Sequence, residues 1–409
     1  MQQKVLCLHC DPYPNDDRHI SEKIECLLLS ITTLARPFEH LLKRFPRLYL
    51  SINKAIFGVF FKSLFAFKIL REVDVQDSNE KLYNRSLVVV REARNRGIKI
   101  KSLIFFGKTT NHFSIEINGC KKFFEGLPHL VAERIHFVDF DDKGKLKELL
   151  QIEGLPHPQG RVFRECSSAS QYVKDCINFP VVVKPRSGSL SKHTTCDIKN
   201  EDQLREAVRI AKIISKEFMV EEFVEGDVHR ITVVNGEVVA SCLRELPNVI
   251  GDGKHTILEL VDIKNQSPTR GDGHQRNFTL HKIIISAKTN FLLASKNLNL
   301  NSILPSDKKV YLHDKVILAC GADIHDTTDK IHPENKILFE NVYKLCNAPL
   351  IGIDFITSDI SKSHREQKCA VIEVNSLPYI DMHHYPVTGE SRNVAGRILD
   401  YYISAYKLP

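Results

Sequence analysis

Asp354, Glu373 and Asn375 are the residues whose types and spacing point most directly to chemistry. Asp354 lies in the apolar run Gly352-Ile353-Asp354-Phe355, the other two in Ala370-Val371-Ile372-Glu373-Val374-Asn375-Ser376. Both runs read as short strands. Residues two apart in a strand share a face, so Glu373 and Asn375 point one way while Val371, Ile372 and Val374 fill the sheet around them. Three oxygen donors converging from neighbouring strands suit Mg²⁺ when water and nucleotide phosphate complete its octahedron. The bland alternative is a strand edge carrying solvated acids.

Two earlier segments complete a constellation. Phe179-Pro180-Val181-Val182-Val183-Lys184-Pro185 reads as a buried strand whose lysine emerges into a polar loop, a good position for a phosphate ligand. Val220-Glu221-Glu222-Phe223-Val224-Glu225-Gly226 reads as a strand running into a turn, able to offer backbone groups to a purine edge between apolar walls. No Ser/His/Asp or Cys/His signature of nucleophilic catalysis accompanies them. Gly107-Lys108-Thr109-Thr110 imitates the end of a phosphate-binding P-loop, but Ser102 stands where the first glycine is required, so a hairpin tip is expected there.

The chain has 409 residues, enough for two or three domains, with 43% hydrophobic and 26% charged residues, as in globular proteins. Its net charge of +7 is spread along the chain, which suits an anionic small molecule and gives no concentrated basic face for nucleic acid. Eleven scattered cysteines and no signal peptide read as reduced thiols in a cytoplasmic protein. Cys7-Leu8-His9-Cys10 lacks a second metal-ligand pair and reads as core. In 48–70 the longest uncharged run is seven residues, 55–61, between Lys54 and Lys62. That is too short to span a bilayer, so a buried or partner-facing helix is expected, with membrane-surface contact as the weaker alternative.

The elements that must position the site follow from periodicity. Residues 1–75 read as a strand and a helical extension, and 76–141 as a pre-domain with the βαβ rhythm of an open sheet. A helix is expected over 143–153, with Leu146, Leu149, Leu150 and Ile152 as its apolar set. Helices are also expected at 202–216 and 257–265, and a hairpin turns at Asn235-Gly236. The segments divide at 142–226 and 227–409.

With these segments in this order, the chain resembles the ATP-grasp superfamily of carboxylate–amine ligases, and within it the ATP-grasp module of cyanophycin synthetase, over about 142–401. The match includes Arg270-Gly271-Asp272-Gly273-His274, and its narrow parts are Gly251-Asp252-Gly253-Lys254-His255-Thr256-Ile257 and His332-Pro333-Glu334-Asn335. The resemblance implies an α+β fold of two lobes gripping ATP, 142–226 and 227–409, the second with the metal and substrate site, preceded by a smaller α/β domain. It is to a stand-alone relative with no Mur-ligase-like module. It implies amide formation through an acylphosphate, with release of ADP. Lys143 and Lys184 would hold the phosphates with Ser187, Gly188 and Ser189. Glu221, Glu222, Phe223 and Val224 would form the adenine hinge, and Asp227 would replace the usual ribose acid, because Val228 occupies that position. Asp354, Glu373 and Asn375 would bind two Mg²⁺ ions, with Mn²⁺ as a substitute. Arg230, Arg244, Arg270 and Lys282 would face the substrate carboxylate and acylphosphate. His383 and Arg392 would line the acceptor side. Small amino-acid or peptide substrates and a homo-oligomer are expected. Ser191 and His193 stand where relatives carry glycine, which motivates the alternative of a catalytically weakened ATP-binding regulatory module.

Overall fold

The computed structural model describes residues 64–128, 140, 142–186, 193–346 and 348–405. The expectations for residues 1–63, including Cys7–Cys10 and most of 48–70, lie outside them, as do Ser187, Gly188 and Ser189. Among the described residues no helix is long and apolar enough to cross a membrane.

The first described unit is a sheet of β1 (Leu70–Asp74), β2 (Ile100–Phe105), β3 (Lys108–Ile117) and β4 (Cys120–Glu125), with α1 (Asn84–Asn95) between β1 and β2. All its pairings are antiparallel. The expected βαβ rhythm is therefore corrected: β2, β3 and β4 are joined by tight turns, and only a crossover would have made them parallel. Residues 106 and 107 form the β2–β3 tip, so the P-loop imitation is a hairpin as read.

The next unit begins with α2 (Lys143–Ile152), which starts at Asp142 because that carboxylate accepts from the Gly144 and Lys145 amides. Asp142 also pairs with Arg186 at 2.8 Å, tying the helix start to the following sheet. Leu146 and Leu150 are buried, but Ile152 is 78% exposed and leaves the expected apolar set, being at the frayed last position. Then come β5 (Gly160–Phe163), α3 (Cys166–Tyr172), β6 (Val181–Pro185), β7 (Thr195–Ile198), α4 (Glu201–Lys212) and β8 (Phe218–Glu222). The strands order as β5-β8-β6-β7, and Val181, Val183 and Val220 meet Leu204, Ala207 and Ala211 of α4 in one core.

The larger sheet, β15-β10-β9-β16-β17, is built from β9 (Asp227–Val234), β10 (Glu237–Glu245), β15 (Asp323–Asp326), β16 (Leu350–Thr357) and β17 (Cys369–Asn375). Asn235 and Gly236 have φ of 48° and 84°, the left-handed pair that a two-residue hairpin requires. One face of the sheet buries Ile231, Val233, Ile353, Phe355 and Val374 against α7 (Pro333–Cys346). Asn335, from the His-Pro-Glu-Asn motif, fixes that helix: its amide donates to the Ile360 and Lys362 carbonyls, and its oxygen accepts from the His364 amide. At the end of the sheet, Val234, Ala240 and Leu350 share a core with Leu87 and Val90 of α1 and Ile398 of α8 (Val394–Ala405), which joins the first unit to the larger sheet. Residues 246–322 form an insertion of β11 (Asn248–Ile250), α5 (Ile257–Asn265), β12 (Arg270–Gly271), β13 (Leu280–His281), α6 (Ala287–Ala294) and β14 (Lys309–Tyr311), with its own apolar centre around Val249, Ile257, Leu304 and Val310.

Candidate active site

Across the other face of the large sheet, Cys242, Arg230, Asp354 and Glu373 stand directly opposite one another on β10, β9, β16 and β17. Thr232, Gly352 and Asn375 form the neighbouring row. The period of two thus delivers all three expected oxygen donors to one face. A bulge between Asp354 and Phe355, where Glu373 is followed in the pairing by Val371, lets Val371 join Val374 in the core. Gly352 is required here: a Cβ would lie 2.5 Å from the Pro378 Cβ and 3.2 Å from Arg230 Nη1.

Asp354 is buried between two arginines, its Oδ1 2.5 Å from Arg230 Nε and its Oδ2 3.0 Å from Arg244 Nη2. Burial alone would raise its pKa, but the two guanidinium groups outweigh that and hold the carboxyl below its ordinary value. Glu373 is more open, at 37% side-chain exposure, and lies 3.7 Å from Lys143 Nζ. Arg230 Nη1, Arg244 Nε and Asn375 Nδ2 are buried without a hydrogen-bond partner among the described residues. Two carboxylates and an amide oxygen are the hard donor set that Mg²⁺ prefers. A carboxylate has room for about four contacts, so arginine pairing leaves Asp354 able to serve a metal as well. The residues fit a divalent cation.

The second group lies on the smaller sheet. Lys184, at the end of β6, places Nζ 2.5 Å from Glu221 Oε1, and Lys147 of α2 places Nζ 2.6 Å from Glu221 Oε2. All three residues are buried. Burial would raise the Glu221 carboxyl, yet Lys184 and Lys147 together hold it below its ordinary value. Burial pulls Lys147 down, opposed by Glu221. Helix α2 therefore joins the two groups: Lys143 meets Glu373 and, one turn on, Lys147 meets Glu221. Lys147 is absent from the sequence expectation. The Glu222 amide donates to the Gln159 carbonyl and the Phe223 amide to the Pro180 carbonyl, which fixes the strand end ahead of Val224. Asp227 begins β9 opposite Thr357, its pKa raised by burial and by Glu245.

His193 resolves the glycine question at its own position. It takes φ of 55°, the conformation glycine would supply, with its buried ring anchored by a 2.8 Å contact from Nδ1 to the Ile210 carbonyl.

The remaining expected residues have the following partners. Arg270 is buried in the insertion, donating to the His281 carbonyl at 2.7 Å and pairing with Asp323, so it braces that unit. Lys282 is 43% exposed and pairs with Asp272 at 2.9 Å. Arg392 spans Asp326 and Asp329, at 2.7 and 2.5 Å. His383 is buried with Nε2 2.8 Å from Thr232 Oγ1, and burial pushes its pKa down to about 3, so it is neutral. The structure does not bring Arg270, Lys282 or Arg392 onto Asp354, because each carries a carboxylate partner of its own.

Glu245, Asp323 and His325 also approach to within metal-ligand spacing. Lys309 and His325 engage Glu245, while Lys264 and Arg270 engage Asp323, so both carboxylates of this cluster already have partners.

Comparison with known proteins gives this geometry a fold. The RimK-like ATP-grasp domain matches residues 140–249. A bifunctional glutathione synthetase from Pasteurella multocida superposes with a TM-score of 0.61 at 26% identity, covering 80% of this chain and 44% of that one. The chain carries an ATP-grasp fold. Cyanophycin synthetase of Synechocystis sp. is 39% identical over 261 residues, 63% of this chain and 30% of the relative. The cyanophycin synthetase of Trichormus variabilis is 33% identical over 342 residues, 80% of this chain and 36% of the relative. The glutathione biosynthesis bifunctional protein GshAB of Clostridium perfringens is 31% identical over 263 residues, 64% of this chain and 33% of the relative. This ATP-grasp chain thus spans about a third of the length of the curated relatives it matches.

Proposed function

We propose that this protein is an ATP- and Mg²⁺-dependent ligase joining the carboxylate of an amino acid or short peptide to an amine. The carboxylate takes the γ-phosphoryl group of ATP to give an acylphosphate and ADP. The amine nitrogen attacks the acyl carbon, phosphate leaves, and the nitrogen loses a proton. The observation that carries this reading is the cross-strand row of Arg230, Asp354 and Glu373, with Lys143 at its edge.

Lys143 and Lys184 supply compact positive charge for the phosphates. Asp354, Glu373 and Asn375 would hold Mg²⁺, which would supply positive charge beside the transferring phosphoryl group. Arg230 and Arg244 keep Asp354 ionised and present guanidinium groups to a substrate carboxylate or acylphosphate. His383, neutral and fixed on Thr232, shapes the acceptor side. Acidic amino acids and short peptides are the first substrates to try, since cyanophycin synthetases are among the relatives.

An ADP-release screen of acid and amine pairs, followed by mass spectrometry of the products, tests the proposal. Turnover is expected for at least one pair, abolished by Glu373→Ala. ADP release that needs no amine, or that survives Glu373→Ala, overturns it. ATP binding without turnover on any pair would favour the regulatory-module reading.

A further inference from the structure

Glu221 poses an electrostatic problem at the nucleotide cleft. It is a buried carboxylate 2.5 Å from Lys184, the lysine assigned above to phosphate. A lysine paired one-to-one with a buried carboxylate makes a neutral unit, and a neutral unit attracts a polyphosphate weakly. Lys147 changes the count. Its ammonium takes the other Glu221 oxygen at 2.6 Å and also donates to the Pro158 carbonyl. Two cations now share one anion, and the buried cluster carries a net charge of about +1. Gly160 makes the room: it faces Glu221 across the β5–β8 pairing, where a Cβ would lie 2.5 Å from the Glu221 Cβ.

We propose that Lys147 is a positioning residue that satisfies Glu221 so that the charge of Lys184 remains available to the nucleotide phosphates. It acts through Glu221 and need not touch the ligand. This rests on the reading of the cleft as an ATP site and assigns a role within it to a residue that the motif match leaves unused.

The test is calorimetric titration of the full chain with a non-hydrolysable ATP analogue in the presence of Mg²⁺, with the melting temperature of each variant recorded. Lys147→Met is expected to weaken binding roughly tenfold, the order expected for one uncompensated charge near the phosphates. Lys147→Arg is expected to retain most of the affinity. The deciding variant is Lys147→Met with Glu221→Gln, which returns the net charge to +1 and is expected to recover most of what Lys147→Met loses. A packing role for Lys147 would give no such recovery. Unchanged binding in Lys147→Met, or a folded double variant no better than Lys147→Met, overturns the proposal. Should Lys147→Met not fold, Glu221→Gln alone decides, because it changes the side chain held by the two lysines and leaves the backbone that the hinge reading uses: affinity at least equal to the parent supports the proposal, and weaker binding refutes it. A parent protein that binds no analogue would instead defeat the ATP-site reading itself.

Discussion

Replacing Asp354 by asparagine and Glu373 by glutamine should produce opposite signatures, although the two carboxylates face each other across β16 and β17. Asp354 and Arg230 are each about 5% exposed at the side chain, and Arg244 is 15% exposed. Removing the shared anion leaves two guanidinium groups buried together, and breaking a buried pair from one side costs about 3–5 kcal/mol. For a chain of 409 residues that lowers the melting temperature by roughly 4–6 °C. Glu373 is 37% exposed with a 3.7 Å contact to Lys143, an arrangement worth about 0–1 kcal/mol. Glu373→Gln should therefore melt within about 2 °C of the parent. In the ligand-free protein, only Asp354→Asn should show a large shift by thermal denaturation. With Mg²⁺ and ATP analogue added, both variants should lose the ligand-induced stabilisation of the parent. Equal destabilisation by the two substitutions, or none by Asp354→Asn, would refute the assignment of Asp354 as the shared buried counter-ion.

Further outcomes follow from the same contacts. Gly352→Ala should cost about 1–3 kcal/mol and weaken nucleotide-dependent metal binding, because the new Cβ would lie 2.5 Å from Pro378; normal stability and binding would contradict the close approach. Arg270→Met should destabilise by about 2–3 kcal/mol with little change in KM for ATP, since Arg270 braces Asp323 in the insertion; a selective rise in KM would place it in the site instead. His229, His384 and His383 are held neutral by burial, with pKa values pushed down to about 4, 4 and 3. Their unfolded forms take up protons below about pH 6.5 while the native forms do not, so stability should fall as pH drops from 6.5 toward 4; denaturant midpoints flat across that range would exclude neutral burial. Glu245 is also shifted downward, to about 2, mainly by His325 and Lys309, and for a carboxyl that shift stabilises the ionised native form. Its contribution is present above pH 4.5 and lost between 4.5 and 2, so Glu245→Gln should flatten that lower acid limb.

Legibility from sequence varied with the range of the interactions. The Asp354, Glu373 and Asn375 set was readable because strand periodicity is local and all three lie in apolar runs. The Asn235-Gly236 hairpin was readable because its turn demands two positive φ values. Lys147 was not, since its role depends on Glu221, 74 residues away in sequence, and a lysine between leucines on a helix resembles any solvated position. Arg270 and Arg392 meet the same limit: an arginine's type indicates what it can bind, while the partners it has here, Asp323, Asp326 and Asp329, are chosen by topology. The first unit was read as βαβ because strand and helix signals alternate there; turn lengths carry the antiparallel information, and only the 106–107 tip was recognised.

The most direct measurement of the central claim is titration of a non-hydrolysable ATP analogue into the parent chain, with and without Mg²⁺, repeated for Lys184→Met and Glu373→Gln. Saturable one-site binding that strengthens with Mg²⁺, and that weakens in both variants, is the expected result. Binding indifferent to Mg²⁺ and to both substitutions would contradict a shared nucleotide and metal cleft.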